Sequence, residues 1–134
     1  MARQILLIDD DRMSRLVPQT VLEKLGFEVE VLGDGRGAAD AEATGQFDAI
    51  VMDCQMPNMD GFEATAAIRR RQADSSGRRT PIIGLSARAM RGDEEVAIDK
   101  GMDAYITKPV NIAKMRAALD RVFGEAGGVG GPAG

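Results

Sequence analysis

Histidine and tryptophan are absent from this 134-residue sequence, and cysteine and tyrosine occur once each. Without histidine the chain has neither a histidine base nor a histidine metal ligand, so any phosphohistidine chemistry needs a second protein. A single cysteine excludes an internal disulfide and makes a reducing, cytoplasmic compartment the simpler expectation.

Long apolar runs are absent as well, and no segment approaches the roughly 18 apolar residues that span a bilayer. The polar start, 1–4, is followed by an apolar run of only four residues, 5–8, so we expect no signal peptide and no membrane partner. The 17 basic and 21 acidic side chains give a formal charge of −4, which argues against direct binding of nucleic acid.

The length and the 44% hydrophobic content predict one folded domain with a proper core, which we assign to residues 1–123. Six of the eleven residues at 124–134 are glycine, which predicts a flexible tail. No output domain follows residue 123 in this sequence. We therefore expect the chain to act by contacting another protein, or to be part of a longer one.

Short strand-like segments alternate with helical patterns five times. The predicted strands are 5–8, 27–32, 49–53, 81–86 and 104–107, and the predicted helices are 12–25, 36–44, 62–71, 92–100 and 112–123. This alternation predicts an α/β fold, with a parallel sheet, helices on both faces and right-handed crossovers.

Individual residues within the helices give narrower predictions. Pro18 lies inside the first predicted helix, so we expect a kink or a late start there. In the third helix Phe62, Ala66 and Ile68 should face inward. The last helix, capped by Asn111, should carry its apolar residues on one face: Ile112, Met115, Leu119, Val122 and Phe123.

Polar residues mark the ends of four predicted strands: Asp9 and Asp10 follow the first, Asp53 ends the third, Ser86 ends the fourth and Lys108 follows the fifth. The carboxyl ends of strands in a doubly wound parallel sheet converge at one edge. Clustered carboxylates repel one another and require a cation, and oxygen ligands without histidine or thiolate favour Mg²⁺ or Mn²⁺. Such a site suits phosphoryl transfer, with Asp53 as nucleophile, Lys108 as a neighbouring charge and Ser86 as a hydroxyl for one phosphoryl oxygen.

These residues also have a purely structural interpretation. Asp9, Asp10 and Asp11 can cap the first helix, but two adjacent acids together with Asp53 make that the weaker interpretation. A group of arginines is better explained as the solvated carboxyl end of a helix than as a patch that binds a phosphate backbone: Arg69, Arg70, Arg71, Arg78 and Arg79.

Taken together and in order, the motifs at 5–10 (ILLIDD), 51–61 (VMDCQMPNMDG), 85–87 (LSA) and 105–109 (YITKP) resemble the receiver domain of two-component response regulators. The resemblance covers residues 4–123, and the joint spacing is specific although each motif alone is weak. The stretch 101–109 and the MDCQMP run are especially similar to receivers attached to hybrid sensor kinases.

The resemblance implies a flavodoxin-like fold with strand order 2-1-3-4-5, and a phosphoacceptor that catalyses only its own phosphorylation and dephosphorylation. Asp53 would be phosphorylated. Asp10, Asp53 and the backbone carbonyl of Gln55 would hold Mg²⁺, with Asp9 acting through water. A histidine kinase or a histidine phosphotransfer protein would be the donor.

The resemblance also implies how the signal leaves the site. Ser86 and Lys108 would contact the phosphoryl group, and Ser86 and Tyr105 would form a switch that changes the surface of the fourth helix, fifth strand and fifth helix for a protein target. The resemblance further implies a cis peptide between Lys108 and Pro109. It also implies that the chain is a monomer or a weak phosphorylation-dependent dimer. We also hypothesise that Gln55 and Arg88 crowd the path of water and slow loss of the phosphoryl group.

Two other functions fit parts of the sequence. Asp9 and Asp11 have the spacing of the aspartates of a haloacid-dehalogenase-type phosphatase, although Arg12 and Met13 do not continue that motif and no cap domain fits in this length. The second alternative is a degenerate receiver used as an unphosphorylated docking surface. The complete set of acids, serine and lysine argues against that alternative. Phosphorylation of Asp53 rather than Asp9 would distinguish a receiver from a phosphatase.

Overall fold

The computed structural model describes residues 3–55, 61–75, 79–87 and 92–123; the predicted tail, 124–134, and Arg88 lie outside them. Strands and helices alternate along the chain. The elements are β1 Gln4–Ile8, α1 Leu16–Lys24, β2 Glu28–Leu32, a 3₁₀ turn Gly35–Gly37 leading into α2 Ala38–Ala43, β3 Ala49–Asp53, α3 Gly61–Ser75, β4 Ile82–Ser86, α4 Asp93–Asp99, β5 Ala104–Thr107 and α5 Ile112–Val122. Among these helices none combines the length and the apolar composition needed to cross a membrane.

The five strands form one parallel sheet in the order β2-β1-β3-β4-β5. Both the predicted fold class and the strand order are therefore confirmed. The register aligns the carboxyl ends of neighbouring strands, since Ile8 pairs with Met52 and Asp53 pairs with Leu85. Residues that end or follow these strands are consequently brought to one edge.

The core has two layers, one on each face of the sheet, because successive strand residues point to opposite faces. In β1, Ile5 and Leu7 belong to the layer beneath α1 and α5, and Leu6 and Ile8 to the layer beneath α2, α3 and α4. All residues of β3 and β4 are buried, in agreement with the apolar character of both strands up to Asp53 and Ser86, their last residues.

The two ends of the described chain meet beside the first layer. The Arg3 guanidinium carbon lies 4.1 Å from the centre of the Phe123 ring, in a cation–π contact. The Phe123 ring in turn stacks on Phe27 with a centroid separation of 6.3 Å. These contacts lie at the amino-terminal edge of the sheet, where β1 begins and α5 ends.

Helix α1 begins at Leu16, four residues later than the predicted start at residue 12. The late start agrees with the prediction from Pro18, which occupies the first turn, where a missing backbone N–H leaves no intrahelical bond unmade. The helix ends at Lys24, and Gly26, which has a φ of 96°, allows the chain to turn away after the C-cap Leu25, where Phe27 N donates to Leu22 O over 3.1 Å.

Two of the predicted inward-facing residues are exposed. In α3, Ala64 and Ile68 are buried and Ala66 is exposed, because the buried stripe follows the i, i+4 spacing and residue 66 lies on the opposite side. In α5, Ile112 is 41% exposed, since it is the first helical residue; Met115, one turn later, is the first to reach the core.

The prediction that Arg69 lies on a solvated helix end is wrong. Its guanidinium donates to Thr80 O over 2.8 Å, to Gly101 O over 3.0 Å and to Asp103 Oδ2 over 2.8 Å. Burial lowers the pKa of the Arg69 guanidinium below its ordinary value, although the Asp103 carboxylate opposes the shift. Helix α3 continues to Ser75, so Arg69 ties the middle of α3 to the amino ends of β4 and β5, whereas the neighbouring Arg70 is exposed as predicted.

Candidate functional site

The carboxyl ends of four strands place polar side chains at one edge of the sheet. Asp53 and Ser86 are the last residues of β3 and β4, and Asp9 and Lys108 directly follow β1 and β5. The strand pairing continues past these ends, since Lys108 N donates to Ser86 O over 2.7 Å. The positions predicted from the strand pattern are therefore brought together.

Three carboxylates form the acidic part of this edge. One oxygen each from Asp9, Asp10 and Asp53 lies within 4.8 Å of the other two. Asp9 and Asp53 are 0% and 4% exposed, and Asp10 is exposed. Asp9 Oδ1 accepts a hydrogen bond from Asp11 N over 2.9 Å, but Asp9 Oδ2 is buried with no hydrogen-bond partner among the described residues.

An unpartnered buried carboxylate oxygen is costly unless a cation or a donor satisfies it. Carboxylate oxygens are the ligands that hard divalent cations prefer. The group formed by Asp9, Asp10 and Asp53 therefore fits a divalent cation.

The Asp53 carboxylate has a different partner on each oxygen. Oδ1 accepts from Gln55 N over 3.0 Å, and Oδ2 lies 3.5 Å from Lys108 Nζ. Burial raises the pKa of the Asp53 carboxyl above its ordinary value; the Gln55 N–H and the Lys108 charge oppose this rise, and the Asp9 charge adds to it. The ionised form of Asp53 is therefore held in an unfavourable environment, which an additional positive charge would relieve.

Lys108 has a second partner that the sequence did not indicate. Its Nζ donates to Ser14 Oγ over 2.9 Å, a contact between residues 94 positions apart. Ser14 lies in the turn before α1, where a serine gives no sequence signal of a role. The peptide between Lys108 and Pro109 is cis, as the resemblance implied.

Ser86 is fully buried, and its hydroxyl oxygen accepts a hydrogen bond from Gln55 Nε2 over 2.9 Å. The same Gln55 side chain accepts from Ala87 N at Oε1 over 3.4 Å. Sequence reasoning gave Gln55 a backbone role and a crowding role. It missed these two contacts, because they depend on side-chain placement between two strand ends.

Tyr105, the other predicted switch residue, is half-buried on β5 and packs against the core layer beneath α2, α3 and α4. It pairs in register with Gly84, whereas Ser86 pairs with Thr107. Ser86 and Tyr105 thus lie on neighbouring strands and are offset by two residues.

Asp11 does not join the three carboxylates. Its Oδ1 accepts a hydrogen bond from Met13 N over 3.0 Å, so it stabilises the turn before α1. The structural interpretation of the acidic run therefore holds for Asp11, and the paired aspartates of the phosphatase alternative, Asp9 and Asp11, are not both at the site.

Comparisons with known proteins agree with this geometry. The sequence model of the family described as response regulator receiver domain matches residues 5–120. Sensor histidine kinase GacS of Pseudomonas protegens is 39% identical over 110 residues, which make up 82% of this chain and 12% of that protein. Hybrid signal transduction histidine kinase I of Dictyostelium discoideum is 39% identical over 114 residues, 81% of this chain and 6% of that protein. The chain thus spans only a small part of these relatives.

Among solved structures, the receiver domain of sensor histidine kinase PA1611 from Pseudomonas aeruginosa PAO1 has a TM-score of 0.79 and 37% sequence identity. The match covers 92% of this chain and 99% of that one. That receiver was crystallised with a magnesium ion coordinated in its active-site cleft.

Proposed function

Because the chain belongs to the response regulator receiver domain family, we propose that it is a phosphoacceptor module of a two-component phosphorelay. The predicted resemblance to receivers of hybrid sensor kinases is confirmed by its relatives. The observation that carries the proposal is the convergence of Asp53, Lys108 and the carboxylates of Asp9 and Asp10 at one edge of the sheet.

In the proposed reaction a carboxylate oxygen of Asp53 attacks the phosphorus of a phosphohistidine on the donor protein. The phosphorus–nitrogen bond breaks, its electron pair stays on the imidazole, and an aspartyl phosphate forms. Lys108, whose ammonium already lies 3.5 Å from Asp53 Oδ2, offsets the negative charge that arrives. Ser86 supplies a hydroxyl to a phosphoryl oxygen, and the module has no substrate other than itself.

Mg²⁺ is the proposed cofactor, with Mn²⁺ as an alternative of the same ligand preference. Asp10, Asp53 and the backbone carbonyl of Gln55 would hold it, and Asp9 would act through water. A bound cation would supply positive charge to the carboxylates and the phosphoryl oxygens. The unpartnered Asp9 Oδ2 and the magnesium ion in the PA1611 receiver support this assignment.

The donor would dock beside the site, on an apolar surface at the starts of α1 and α5. Met13, Leu16, Val17 and Ile112 form this surface and are 72%, 51%, 51% and 41% exposed. Ser14, which lies between two of them, contacts Lys108, so the surface is continuous with the site. A protein carrying a phosphohistidine, a residue this chain lacks, would reach Asp53 from here.

The output is proposed to be a shape change. A dianionic group at Asp53 would attract Ser86 and favour an inward Tyr105, which would alter the surface of α4, β5 and α5 for an unidentified protein target. Coupling of this kind is typically about 1–3 kcal/mol. We propose a cytoplasmic module that is monomeric, or dimerises weakly when phosphorylated.

Intact-mass spectrometry after incubation with acetyl phosphate and Mg²⁺ tests the chemistry. A single phosphoryl adduct that disappears in Asp53→Asn supports the proposal. An adduct that survives in Asp53→Asn means that another residue is the acceptor. If that residue is Asp9, the result favours the phosphatase alternative. No adduct from acetyl phosphate or from a phosphorylated histidine protein would favour the unphosphorylated docking module.

Docking of the donor has its own test. Leu16→Asp places a charge on the exposed apolar surface without opening the core, so it should slow transfer from a phosphorylated histidine protein at least tenfold and leave labelling by acetyl phosphate unchanged. Equal slowing of both reactions would place the defect in the site rather than in docking.

A further inference from the structure

The Gln55 side-chain amide bridges two groups at the carboxyl end of β4. Its Nε2 donates to Ser86 Oγ over 2.9 Å, and its Oε1 accepts from Ala87 N over 3.4 Å. A backbone N–H can only donate, so the atom that faces Ala87 must be the oxygen. The orientation of the amide is therefore set by the protein itself.

Gln55 covers Ser86 from the solvent side. The Ser86 residue is 0% exposed and Gln55 is exposed, and Gln55 follows Asp53 by two positions. Any group attached to Asp53 that seeks the Ser86 hydroxyl or the Ala87 N–H therefore meets the Gln55 amide at the same two atoms. The amide and such a group are competitors for those atoms.

We propose that Gln55 is a positioning residue, a latch that holds Ser86 and Ala87 in the unphosphorylated arrangement until a phosphoryl group displaces its amide. This inference rests on the proposed phosphoacceptor function. While the latch is closed, the Ser86 oxygen accepts from Nε2, so the hydroxyl hydrogen points away from Gln55. Displacement releases Ser86 and Ala87 from the Gln55 amide at once and couples occupancy of Asp53 to the conformation of the β4 end.

The phosphoryl group can bind only when the latch is open. Its apparent affinity is therefore the intrinsic affinity multiplied by the fraction of molecules in which the latch is open. The latch consists of one well-formed hydrogen bond and one long one at a partly exposed site. Together they correspond to a change in affinity of roughly 3- to 10-fold. The latch differs from simple crowding by a long side chain, because it depends on the amide and not on the bulk.

Gln55→Met separates the two explanations, since methionine keeps the length and loses both hydrogen bonds. The experiment is an NMR titration with beryllofluoride, a phosphoryl mimic, in the presence of Mg²⁺. The latch predicts 3- to 10-fold tighter binding for both Gln55→Met and Gln55→Ala. The backbone carbonyl of Gln55 is retained in each variant. Gln46→Met, an exposed glutamine beside β2, should bind as the wild type does.

Two further measurements tie the effect to its atoms. In the unliganded protein the amide resonance of Ala87 should shift upfield in Gln55→Met, as it loses an acceptor. In a Ser86→Ala background, replacing Gln55 should change the affinity by less than half of its effect in the wild type, because one of the two contacts no longer exists.

The outcomes distinguish a failure of the latch from a failure of the proposed phosphoacceptor function. Tighter binding in Gln55→Ala alone would mean that bulk matters and would overturn the latch, as would unchanged binding and an unchanged Ala87 resonance in both variants. If the wild type takes up neither beryllofluoride nor the phosphoryl group of acetyl phosphate, the proposed function fails. The Ala87 resonance then still decides whether the Gln55 contact exists.

Discussion

The Lys108 ammonium donates a hydrogen bond to the Ser14 hydroxyl over 2.9 Å, which joins the end of β5 to the turn before α1. The same ammonium lies 3.5 Å from Asp53 Oδ2, so the contact with Ser14 is the shorter of the two. The position of the Lys108 charge beside Asp53 therefore depends on Ser14, which lies between two residues of the proposed docking surface.

Replacing Ser14 should therefore change the titration of Asp53. In Ser14→Ala the ammonium loses its nearer acceptor and is free to approach Asp53 Oδ2, so the pKa of the Asp53 carboxyl should fall toward its ordinary value. Carbon-detected NMR titration without Mg²⁺ measures this pKa. Thr20→Ala, at an exposed position of α1, is the control. An unchanged Asp53 pKa in Ser14→Ala would show that Lys108 is held in place by other contacts.

The raised pKa of Asp53 predicts a pH-dependent stability. A carboxyl whose folded-state pKa lies above the ordinary value of 3.8 favours folding while protonated, and this contribution is lost as pH rises through the folded-state pKa. Asp53→Asn cannot ionise, so without Mg²⁺ it should be more stable than the wild type at pH 7. Urea unfolding from pH 7 down to pH 4 should show the difference shrinking.

The control for this series is Asp120→Asn, at an exposed position of α5, which should stay within about 0.5 kcal/mol of the wild type. A gain in Asp53→Asn that is constant across the pH range would mean that the buried charge is not its cause.

Removal of Mg²⁺ should destabilise the wild type. A ligand at 100 times its dissociation constant stabilises the folded state by about 2.7 kcal/mol. In Asp9→Asn the unpartnered oxygen of the buried carboxylate is replaced, so at least tenfold more Mg²⁺ should be needed for the same rise in melting temperature. Asp11→Asn is the matched variant, because Asp11 lies outside the group of three carboxylates, and its response to Mg²⁺ should equal that of the wild type. Equal responses of Asp9→Asn and Asp11→Asn would remove Asp9 from the cation site.

Arg69 should matter for stability alone. Arg69→Ala leaves the Thr80 carbonyl without its side-chain donor and removes one of two partners from both the Gly101 carbonyl and Asp103, which also contact Arg79, so it should cost about 2–4 kcal/mol. Urea unfolding measures the loss. Arg70→Ala, one position away and exposed, should cost less than about 0.5 kcal/mol. Similar values for the two variants would show that the network around Arg69 contributes little.

The strand ends explain why much of the site was predictable. Asp53 and Lys108 were identifiable because an ionisable residue directly after a short apolar run has to lie at the edge of a parallel sheet. The strand order followed from the resemblance, and the late start of α1 followed from the backbone of Pro18. These predictions depend on residues that are close in sequence or on the regular geometry of the sheet.

Ser14, the Gln55 amide and Arg69 were beyond prediction for a common reason. Each reaches its partner across elements, with sequence separations of 94 for Ser14 to Lys108, 31 for Gln55 to Ser86 and 34 for Arg69 to Asp103. When only the sequence neighbours are known, solvent exposure is the natural expectation for a serine in a turn, a glutamine in a loop and an arginine near a predicted helix end. Only the packing of the strand ends and of α3 reveals their partners.

The contact between Arg3 and Phe123 has a practical consequence for protein engineering. Because both ends of the described chain emerge at the edge opposite Asp53, the domain can be inserted as a cassette into a loop of a host protein, or its ends can be joined and the chain reopened elsewhere. In either arrangement the fused polypeptide would leave the edge that carries Asp53 open. A host protein that carries the domain in this way would come under the control of a histidine kinase if the proposed phosphoacceptor function holds.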